Sequence, residues 1–291
     1  MSSQASGREA FASYGRAAWA SKLGHRLLVI AMCVVAVFPF YWLIVSSVLP
    51  TEKLFSFPPQ LIPTDGATVE PYKRALTESD LPLWLLNSFK VAAGTAFVAV
   101  LVGSICAYAI SRFRFRGRGP TALAMLVTQM FPDILIVLPM YVLFAQLGLL
   151  DSLFGLSLAY LAFLVPVSAA LLKGFFDAIP VDVEHAAMMD GASRLRTYRD
   201  IVLPLALPGL VSTYFFAFIV AWDEYLFART FLTSEDNWTG TLGLSSYFGA
   251  YTTPWDQVMS SAVLMTIPVA VLFLILQRYL LRGLTAGAIR G

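Results

Sequence analysis

Six apolar stretches, each long enough to cross a lipid bilayer, constrain this chain more than any other feature of its sequence. A spanning helix needs about 20 mostly apolar residues. Only 13 % of this chain is charged, against about 25 % in an average soluble domain. Because lipid offers no hydrogen-bond partner, each segment must satisfy its own backbone as a helix. We therefore predict an all-α membrane protein with six spans, at residues 27–48, 87–110, 121–147, 152–172, 203–228 and 258–281.

The positive charges indicate how these spans are oriented. Of the 20 Lys and Arg residues, fifteen fall in the N-terminal tail, the connections after spans two and four, and the C-terminal end: Arg8, Arg16, Lys22, Arg26, Arg112, Arg114, Arg116, Arg118, Lys173, Arg194, Arg196, Arg199, Arg278, Arg282 and Arg290. An excess of Lys and Arg marks the cytoplasmic side of a membrane protein. We expect a cytoplasmic tail at 1–26, a permease domain at 27–283 and a second cytoplasmic tail at 284–291.

The connection after span two contains the run "RFRFRGRG", in which Arg and Phe alternate as they do in some nucleic-acid-binding segments. At a membrane boundary we interpret this run instead as a positively charged anchor that contacts anionic lipid. We therefore expect membrane lipid, and no nucleic acid, as its partner.

The connection after span four, about residues 177–203, has the pattern of two short helices; we refer to it as the docking loop. Pro180 precedes "VDVEHAAMM", which carries acids in its first turn, as the helix dipole favours. Asp190-Gly191 should end this helix, since glycine accepts a left-handed C-terminal conformation without penalty. Ser193 is placed to cap a second helical turn. A thin, capped, charged helix pair on the cytoplasmic side indicates a docking element, although an ordinary polar loop has the same periodicity.

Residues 184–204 resemble the signature loop of the membrane subunits of binding-protein-dependent, ATP-driven importers. That signature reads Glu-Ala-Ala, three residues, Gly, nine residues, Ile, one residue, Leu-Pro, and the matching positions are Ala186, Ala187, Gly191, Ile201, Leu203 and Pro204. His185 stands where the signature has Glu, and Glu184 lies one position earlier, about 100° around a helix. The resemblance implies that the docking loop binds a groove of a separate ATPase subunit. Its expected coupling residues are the matching positions together with Glu184, His185 and Asp190.

Two further segments resemble the carbohydrate importers of this family. "AWDEYLFARTFLT" (221–233) is similar to their fifth-span motif, commonly Trp-Asn-Glu-Phe, with Asp223 and Tyr225 as departures. The ending "LQRYLLRGLTAGAIRG" (276–291) is similar to the C-terminus of the maltose-type second permease subunit. The resemblance implies that this tail contacts the ATPase subunits, through Thr285, Ala286, Gly287 and Arg290.

The same resemblance implies a set of partners: a second, different permease chain, two ATPase subunits and an extracytoplasmic solute-binding protein. The long, aromatic loop 233–257 would face that binding protein, unless it only covers the helices beneath it. The sequence contains no G-x-x-x-x-G-K-[ST] phosphate loop. We therefore expect ATP and Mg²⁺ to bind the ATPase subunits, and expect no cofactor in this chain.

Side chains suited to metal or nucleophilic chemistry are sparse. The two cysteines, Cys33 and Cys106, fall inside apolar runs, where we expect small buried hydrophobic residues rather than a disulfide or a metal site. The two histidines, His25 and His185, lie in a tail and in the docking loop, away from the intramembrane acids. We therefore predict a transport subunit without catalytic or metal-binding residues, and a membrane enzyme is the less favoured alternative.

Ionisable residues inside spans are candidates for a substrate pathway. Asp133 follows Gln129 by four residues, which would place both on one helix face. Near the end of span five, polar and aromatic side chains form a set suited to a sugar: Trp222, Asp223, Glu224 and Tyr225. Two alternatives remain open. Asp223 and Glu224 could lie at the outer membrane interface, with Trp222 and Tyr225 in an aromatic belt. Asp133 could bond a backbone group that a proline leaves unpaired.

Together these features predict a permease subunit of a bacterial or archaeal cytoplasmic membrane that moves a di- or oligosaccharide by alternating access. A polyol or glycerol-phosphate importer of the same class is an alternative, although we find no basic residue deep in a span that would favour an anion. A secondary transporter working alone is a rival from another class. It would need no docking loop, and no inverted repeat is evident in the sequence.

Overall fold

The computed structural model describes residues 3–249 and 251–288, with side chains for residues 22, 24–249 and 251–279. Within these ranges every regular element is helical, which confirms the predicted all-α class. The α-helices there are α1 (Ser3–Ser47), α2 (Thr51–Leu54), α3 (Glu70–Thr77), α4 (Leu81–Arg112), α5 (Arg118–Val127), α6 (Asp133–Gln146), α7 (Leu153–Ala178), α8 (Val181–Met189), α9 (Arg194–Thr197), α10 (Leu203–Leu205), α11 (Leu207–Asp223), α12 (Leu226–Phe231), α13 (Gly240–Ser246) and α14 (Trp255–Ala288). Tighter 3-10 turns lie at Thr128–Met130 and Glu235–Asn237, and a wider π-helical turn at Tyr198–Val202.

Four of these helices contain segments long and apolar enough to cross a membrane: Gly24–Ser47 in α1, Leu81–Arg112 in α4, Leu153–Ala178 in α7 and Trp255–Tyr279 in α14. Two helix pairs meet the same criterion together but are sharply bent. The bends are 99° between Arg118–Met130 and Asp133–Gln146, and 75° between Arg194–Leu205 and Leu207–Asp223. In the part of the chain that the structure describes, four helices are thus long and apolar enough to span a membrane, or six if each bent pair counts as one span.

The predicted third span, 121–147, is interrupted at Pro132. After α5 and its 3-10 turn, Phe131 is extended, with φ −78° and ψ 127°, as expected of the residue before a proline. The next helix, α6, begins at Asp133 in a new direction. Gln129 and Asp133 therefore do not share one helix face, and that part of the prediction was wrong.

The predicted fifth span, 203–228, is also not one helix. α10 is a single turn, a bend follows at Ala206, and α11 then continues. Pro208 lies in the first turn of α11, where an amide hydrogen is not needed. α11 ends at Asp223, and the backbone of the next residue, Glu224, is extended with φ −65° and ψ 133°. The Trp-Asp-Glu-Tyr motif therefore lies where one helix stops and the next begins.

α4 is the centre of the bundle. It packs against α7 and α11, while α14 packs against α11 and α1. The buried face of α4 contains a series of small residues: Ala92, Ala96, Ala99, Gly103 and Ala107. Small residues let the backbones of membrane helices approach closely. At Gly103 no room is left for a side chain, because an added Cβ would lie 2.8 Å from the Cβ of Ser168 in α7.

α1 contributes little to this core. Only 6 % of its apolar stretch is buried, against 44 % in α4 and in α7. Cys33 lies on its exposed surface and Cys106 in α4 is half-buried, so the expectation of two buried cysteines was wrong for Cys33. The reason is that the apolar surface of α1 is left to lipid or to another chain.

Asp151 holds the link between α6 and α7 against the segment that follows α12. Its main-chain N–H donates to the Phe231 carbonyl at 2.8 Å. Its carboxylate accepts from the main-chain N–H groups of Thr233 (3.0 Å) and Ser234 (2.9 Å), and from the Ser234 hydroxyl. Asn237 donates its side-chain amide to the Asp151 carbonyl at 2.7 Å. The hydrogen bond from the Ser234 hydroxyl, reinforced by the main-chain donors, lowers the pKa of the Asp151 carboxyl to about 2.

We expect Gly103→Ala to destabilise the purified protein, because the added methyl group must displace Ser168 or separate α4 from α7, at a cost of about 1–3 kcal/mol. Thermal unfolding in detergent would record a lower midpoint. Gly94, in the same helix, has open space where a Cβ would lie. Gly94→Ala should leave the midpoint unchanged or raise it, since alanine is the better helix former. Equal midpoints for the two variants would contradict the close contact.

The Asp151 contacts predict a pH dependence. The pKa of this carboxyl is lower in the folded protein (about 2) than its ordinary value of 3.8. The contribution of the carboxylate to stability is therefore complete when the pH is above 3.8, and it is lost as the pH falls toward 2. We expect Asp151→Asn to lower the unfolding midpoint at neutral pH. The difference from the parent protein should shrink between about pH 4 and pH 2, measured by thermal unfolding in detergent. A difference that does not change with pH would show that the anionic form is not the stabilising one.

Candidate docking loop and central cavity

The docking loop contains the two short helices that the sequence predicts. α8 (Val181–Met189) has two acids in its first turn. It ends where Gly191 adopts φ +88°, a left-handed conformation that glycine takes without strain. Gly191 also donates its main-chain N–H to the Met188 carbonyl at 3.1 Å. Ser193 caps α9 by accepting from the main-chain N–H of Arg196 at 3.3 Å. The predicted helix end and the predicted cap are both confirmed.

Glu184 points into the protein and is 4 % exposed. One of its carboxylate oxygens accepts from Nε of Arg112 at 2.5 Å, and the other accepts from the Tyr108 hydroxyl at 2.8 Å. Both donors belong to the last two turns of α4, so this contact joins the docking loop to α4. Glu184 is among the residues predicted to couple the chain to an ATPase, yet its carboxylate contacts its own chain.

Arg112 ties three helix ends together. Besides Glu184, its guanidinium donates to the main-chain carbonyls of Phe176 (2.8 Å) and Ile179 (2.9 Å) at the end of α7. The side chain of Arg112 is only 8 % exposed, so the interpretation of the "RFRFRGRG" run as a lipid anchor is wrong for this residue. The sequence spacing could have predicted this orientation. Arg112 follows Tyr108 by four residues, which places both side chains on the same inward face of α4.

Tyr198 holds the other end of the docking loop against α4. Its ring centroid lies 4.7 Å from that of Tyr108, and its hydroxyl shares a hydrogen bond of 2.8 Å with the Ser104 hydroxyl. Tyr198 begins the π-helical turn, which ends at the buried Val202. Such turns occur frequently at functional sites. Both ends of the docking loop therefore contact α4.

Between these two contacts the docking loop exposes an apolar tip, formed by Met189 and Leu195, which are 88 % and 75 % exposed. Neither residue was among the predicted coupling residues, although both interrupt a polar stretch. The predicted coupling residues divide by exposure: His185, Ala186, Asp190, Gly191 and Pro204 are exposed, Ile201 and Leu203 are half-buried, and Ala187 is buried. Two apolar side chains this exposed in a polar loop are available for contact with another protein.

A cavity of about 430 Å³ lies beside the break in the third span. Its wall combines residues of the break and of α6 with residues of α7, α11 and α12. It is largely apolar, including Phe131, Ile136, Met140, Phe163, Val220 and Phe227. Its polar side chains are Thr128, Gln129 and Asp133. The amide nitrogen of Gln129 also donates to the Phe163 carbonyl at 3.5 Å. The break thus brings Gln129 and Asp133 to one cavity, although they do not share a helix face.

The four candidate residues near the end of α11 do not line this cavity. Trp222 is 2 % exposed and stacks on Phe218 with ring centroids 5.6 Å apart, so the alternative of an interfacial belt is wrong for Trp222. Glu224 accepts from two main-chain N–H groups at the start of α12, at 2.8 and 3.1 Å, and so caps that helix. Asp223 and Tyr225 are exposed. The structure therefore separates these residues from Gln129 and Asp133.

The C-terminal residues predicted to contact the ATPase subunits are Thr285, Ala286, Gly287 and Arg290. The backbone of α14 is described as far as Ala288, but side chains are described only to residue 279. These four residues therefore lie outside the described side chains, and their contact with a partner stays a prediction.

A known protein family includes most of this chain, with its docking loop. Residues 99–286 match the family described as the binding-protein-dependent transport system inner membrane component, and this chain belongs to it. The matching region contains the docking loop, the cavity and most of α14. With its several apolar spanning helices, the chain is an integral, multi-pass protein of the cytoplasmic membrane.

Individual relatives are similar over most of the chain. The MalG permease protein of the trehalose/maltose transport system of Thermococcus litoralis is 36 % identical over 265 residues, which cover 90 % of this chain and 94 % of the relative. DasC, the permease protein of a diacetylchitobiose uptake system of Streptomyces coelicolor, is 33 % identical over 255 residues, covering 88 % and 92 %. MalG of the maltose/maltodextrin transport system of Salmonella typhimurium is 36 % identical over 234 residues, covering 78 % and 79 %. The predicted family is confirmed.

A solved structure has the same fold. It is a chain of a bacterial ABC transporter involved in the import of the acidic polysaccharide alginate, with a TM-score of 0.73 and 22 % sequence identity. The superposition covers 89 % of this chain and 95 % of the other. The helical arrangement of the permease fold therefore extends over nearly the whole sequence.

The cavity predicts which positions water can reach. In a variant that lacks Cys33 and Cys106, the substitution Asp133→Cys should give a thiol that a water-soluble maleimide labels, because Asp133 is exposed and lines the cavity. The control Ala221→Cys should not be labelled, since Ala221 is 4 % exposed in the core. Mass spectrometry measures the labelled fraction, and unfolding in detergent should make both positions react. Equal labelling of the two folded variants would contradict the prediction that water reaches Asp133 but not Ala221.

Proposed function

We propose that this chain is the membrane-spanning subunit of an ATP-driven importer of a sugar, a di- or oligosaccharide that an extracytoplasmic binding protein delivers. The observation that carries the proposal is the docking loop, a capped helix pair that contacts α4 at both ends and exposes an apolar tip, in a chain of the binding-protein-dependent family. Relatives named for trehalose, maltose and diacetylchitobiose transport support a sugar as the substrate.

In this proposal each bent helix pair crosses the membrane as one span, which gives six spans with both termini and the docking loop in the cytoplasm. Two sets of contacts support this topology. Arg112 brings the connection between α4 and α5 beside the docking loop, and both are rich in basic residues. Asp151 brings the link between α6 and α7 beside residues 232–237. Alternate connections are thus grouped at opposite ends of the bundle.

The ATPase partners supply the energy. Two ATPase subunits bind ATP and Mg²⁺ and receive the docking loop, whose exposed Met189 and Leu195 fit an apolar groove. The permease chain itself hydrolyses nothing and holds no cofactor. In the wider transporter, closure of the two ATPase subunits on ATP moves the docking loops, and the spans alternate between inward-open and outward-open states.

A second permease chain closes the cavity. Asp133 is exposed in the isolated chain, although it lies between two halves of a membrane span. Charged side chains within a membrane face a bundle interior or a water-filled cavity rather than lipid. A second membrane chain opposite α6 places Asp133 in such an interior, and it also covers part of the exposed apolar surface.

The cavity chemistry suits a neutral sugar. Its volume of about 430 Å³ falls within the roughly 300–1,000 Å³ typical of small-molecule sites. Gln129 and Asp133 offer hydrogen-bond partners for hydroxyl groups, while Phe131 and Phe163 offer apolar surface for the faces of a sugar ring. A glycerol-phosphate is disfavoured, because Asp133 repels an anion and none of the residues that line the cavity is a Lys or an Arg. A polyol would use the same polar groups as a sugar.

Assembly and transport together test this proposal. The tagged chain, purified gently from its native membranes, should retain a P-loop ATPase and a second permease chain, identified by mass spectrometry. In proteoliposomes with the cognate binding protein, labelled maltose, trehalose or diacetylchitobiose should accumulate only when ATP is supplied on the side of the docking loop. A chain recovered alone, with uptake that continues without ATP, would refute the proposal and favour a stand-alone transporter.

A glycine substitution tests the role of the docking loop itself. We expect Gly191→Leu to lower ATP-driven uptake about tenfold while the complex stays assembled, because leucine in a left-handed conformation costs about 1–2 kcal/mol and shifts the tip. Gly117 is a matched control, since it has φ +96°, open space around its Cβ position and a place outside the docking loop. Gly117→Leu should transport normally. An equal loss in both variants would assign the effect to backbone strain alone.

A further inference from the structure

We propose that Glu184 and Arg112, together with Tyr108, form a rigid joint that fixes α8 to the ends of α4 and α7, so that the docking loop and these two helices move as one body during transport. The inference rests on the proposed importer function and adds the contact that passes motion from the docking loop to the spans. It makes Glu184 a positioning residue inside this chain rather than a contact of the ATPase subunit.

The hydrogen bonds of the joint use both oxygens of the carboxylate. Arg112 Nε donates to one oxygen of Glu184 at 2.5 Å and the Tyr108 hydroxyl donates to the other at 2.8 Å. The same guanidinium donates to the carbonyl of Phe176, in the last turn of α7, and to that of Ile179, which follows α7. A buried ion pair persists only when its geometry is good and its remaining polar atoms are satisfied. α8 therefore cannot slide along α4 or α7 without leaving a buried charge unpaired.

The other charged pairs of the docking loop lack these properties. Arg196 lies 3.5 Å from Asp200, and these side chains are 72 % and 39 % exposed. Arg199 and Asp200 form a similar pair, at 2.7 Å, with 75 % and 39 % exposure. Exposed pairs contribute little to stability and are screened by salt. The pair of Asp177 with Lys173, at 2.5 Å, is also partly exposed, with 42 % and 32 % exposure. Among the ion pairs of the docking loop, only the pair formed by Glu184 is buried deeply enough to fix the position of a helix.

Contacts beyond the ion pair support a single body. At the far end of the docking loop, Tyr198 packs on Tyr108 and bonds Ser104, both in α4. The Arg194 guanidinium lies over the Phe113 ring, 5.2 Å from its centroid. The tip formed by Met189 and Leu195 therefore lies between two places where the docking loop contacts α4 or the residue that follows it. A displacement of the tip is therefore transmitted to α4 through the contacts on either side of the tip.

The same body reaches the cavity. α7, whose end is bonded by Arg112, also supplies Ala162, Phe163 and Leu164 to the cavity wall. α4 packs closely against α7, with no room for a side chain at Gly103. Close-packed helices transmit displacement rather than absorbing it. Motion of α8 is thereby carried to one wall of the proposed substrate site.

A charge-neutral substitution tests the joint in the assembled transporter. Glu184→Gln keeps the side-chain shape and removes the charge. It should retain both ATPase subunits and their hydrolysis of ATP without substrate, while ATP-driven uptake falls roughly tenfold. Asp182→Asn is the matched control, because it removes an exposed acid from the first turn of the same helix, and it should transport normally. Normal uptake by Glu184→Gln would overturn the inference, and so would loss of the ATPase subunits from this variant alone.

A covalent replacement of the joint gives a second test. In a chain without Cys33 and Cys106, the double variant Arg112→Cys, Glu184→Cys removes both charges and leaves neither unpaired. With its thiols reduced it should show the same loss of uptake. When a bifunctional thiosulfonate reagent links the two thiols, uptake should recover, and a reductant should abolish it again. A link that leaves uptake low would overturn the inference, since it would show that α8 must move relative to α4.

The parent transporter separates failure of this inference from failure of the proposed function. If the parent complex lacks ATPase subunits, or if its uptake needs no ATP, then the importer proposal fails before any variant is compared. If the parent meets both conditions while Glu184→Gln takes up sugar at the parent rate, then only the rigid joint fails.

Discussion

A buried ion pair decides how three helix ends are held together. Taking Arg112 and Glu184 out of water costs several kcal/mol for each ion, by general experience with buried charges, so the pair is tolerated only where donors and acceptors surround it. Tyr108 and the carbonyl groups at the end of α7 meet that need. One arrangement of α4, α7 and α8 satisfies all of these groups at once. The exposed tip and the Tyr198 contact take their positions from that arrangement.

The helical fold could be predicted from the sequence because the length and low charge of a membrane span are properties of local composition. The breaks in the spans could not. Pro132, Pro139 and Pro166 are alike as sequence features, yet the first separates two helices while the others lie inside α6 and α7. A proline is absorbed where neighbouring groups bond the carbonyl that it leaves unpaired. Whether such partners are at hand depends on the packing around the helix, which a local pattern does not contain.

The two helices of the docking loop could be predicted from the sequence, but the way the loop faces the rest of the protein could not. Caps at Gly191 and Ser193 are local, whereas the environment of Glu184 depends on Arg112, 72 residues earlier. The adjacent His185 is exposed, so one step along the helix separates an internal contact from a surface position. The cavity follows the same principle. Gln129 and Asp133 line the same cavity because the helix is broken between them. A pattern based on the period of an unbroken helix cannot predict that arrangement.

The sparse packing of α1 has a consequence for how the protein is made. As the first apolar segment of this sequence to leave the ribosome, it enters the bilayer before the helices that could pack on it exist. It needs none of them, because only 6 % of its apolar stretch is buried and its principal neighbour in the chain is α14, the last helix. Its hydrophobic length alone is enough to retain it in lipid. Its final tilt is therefore settled late, once α14, its principal neighbour, has been synthesised.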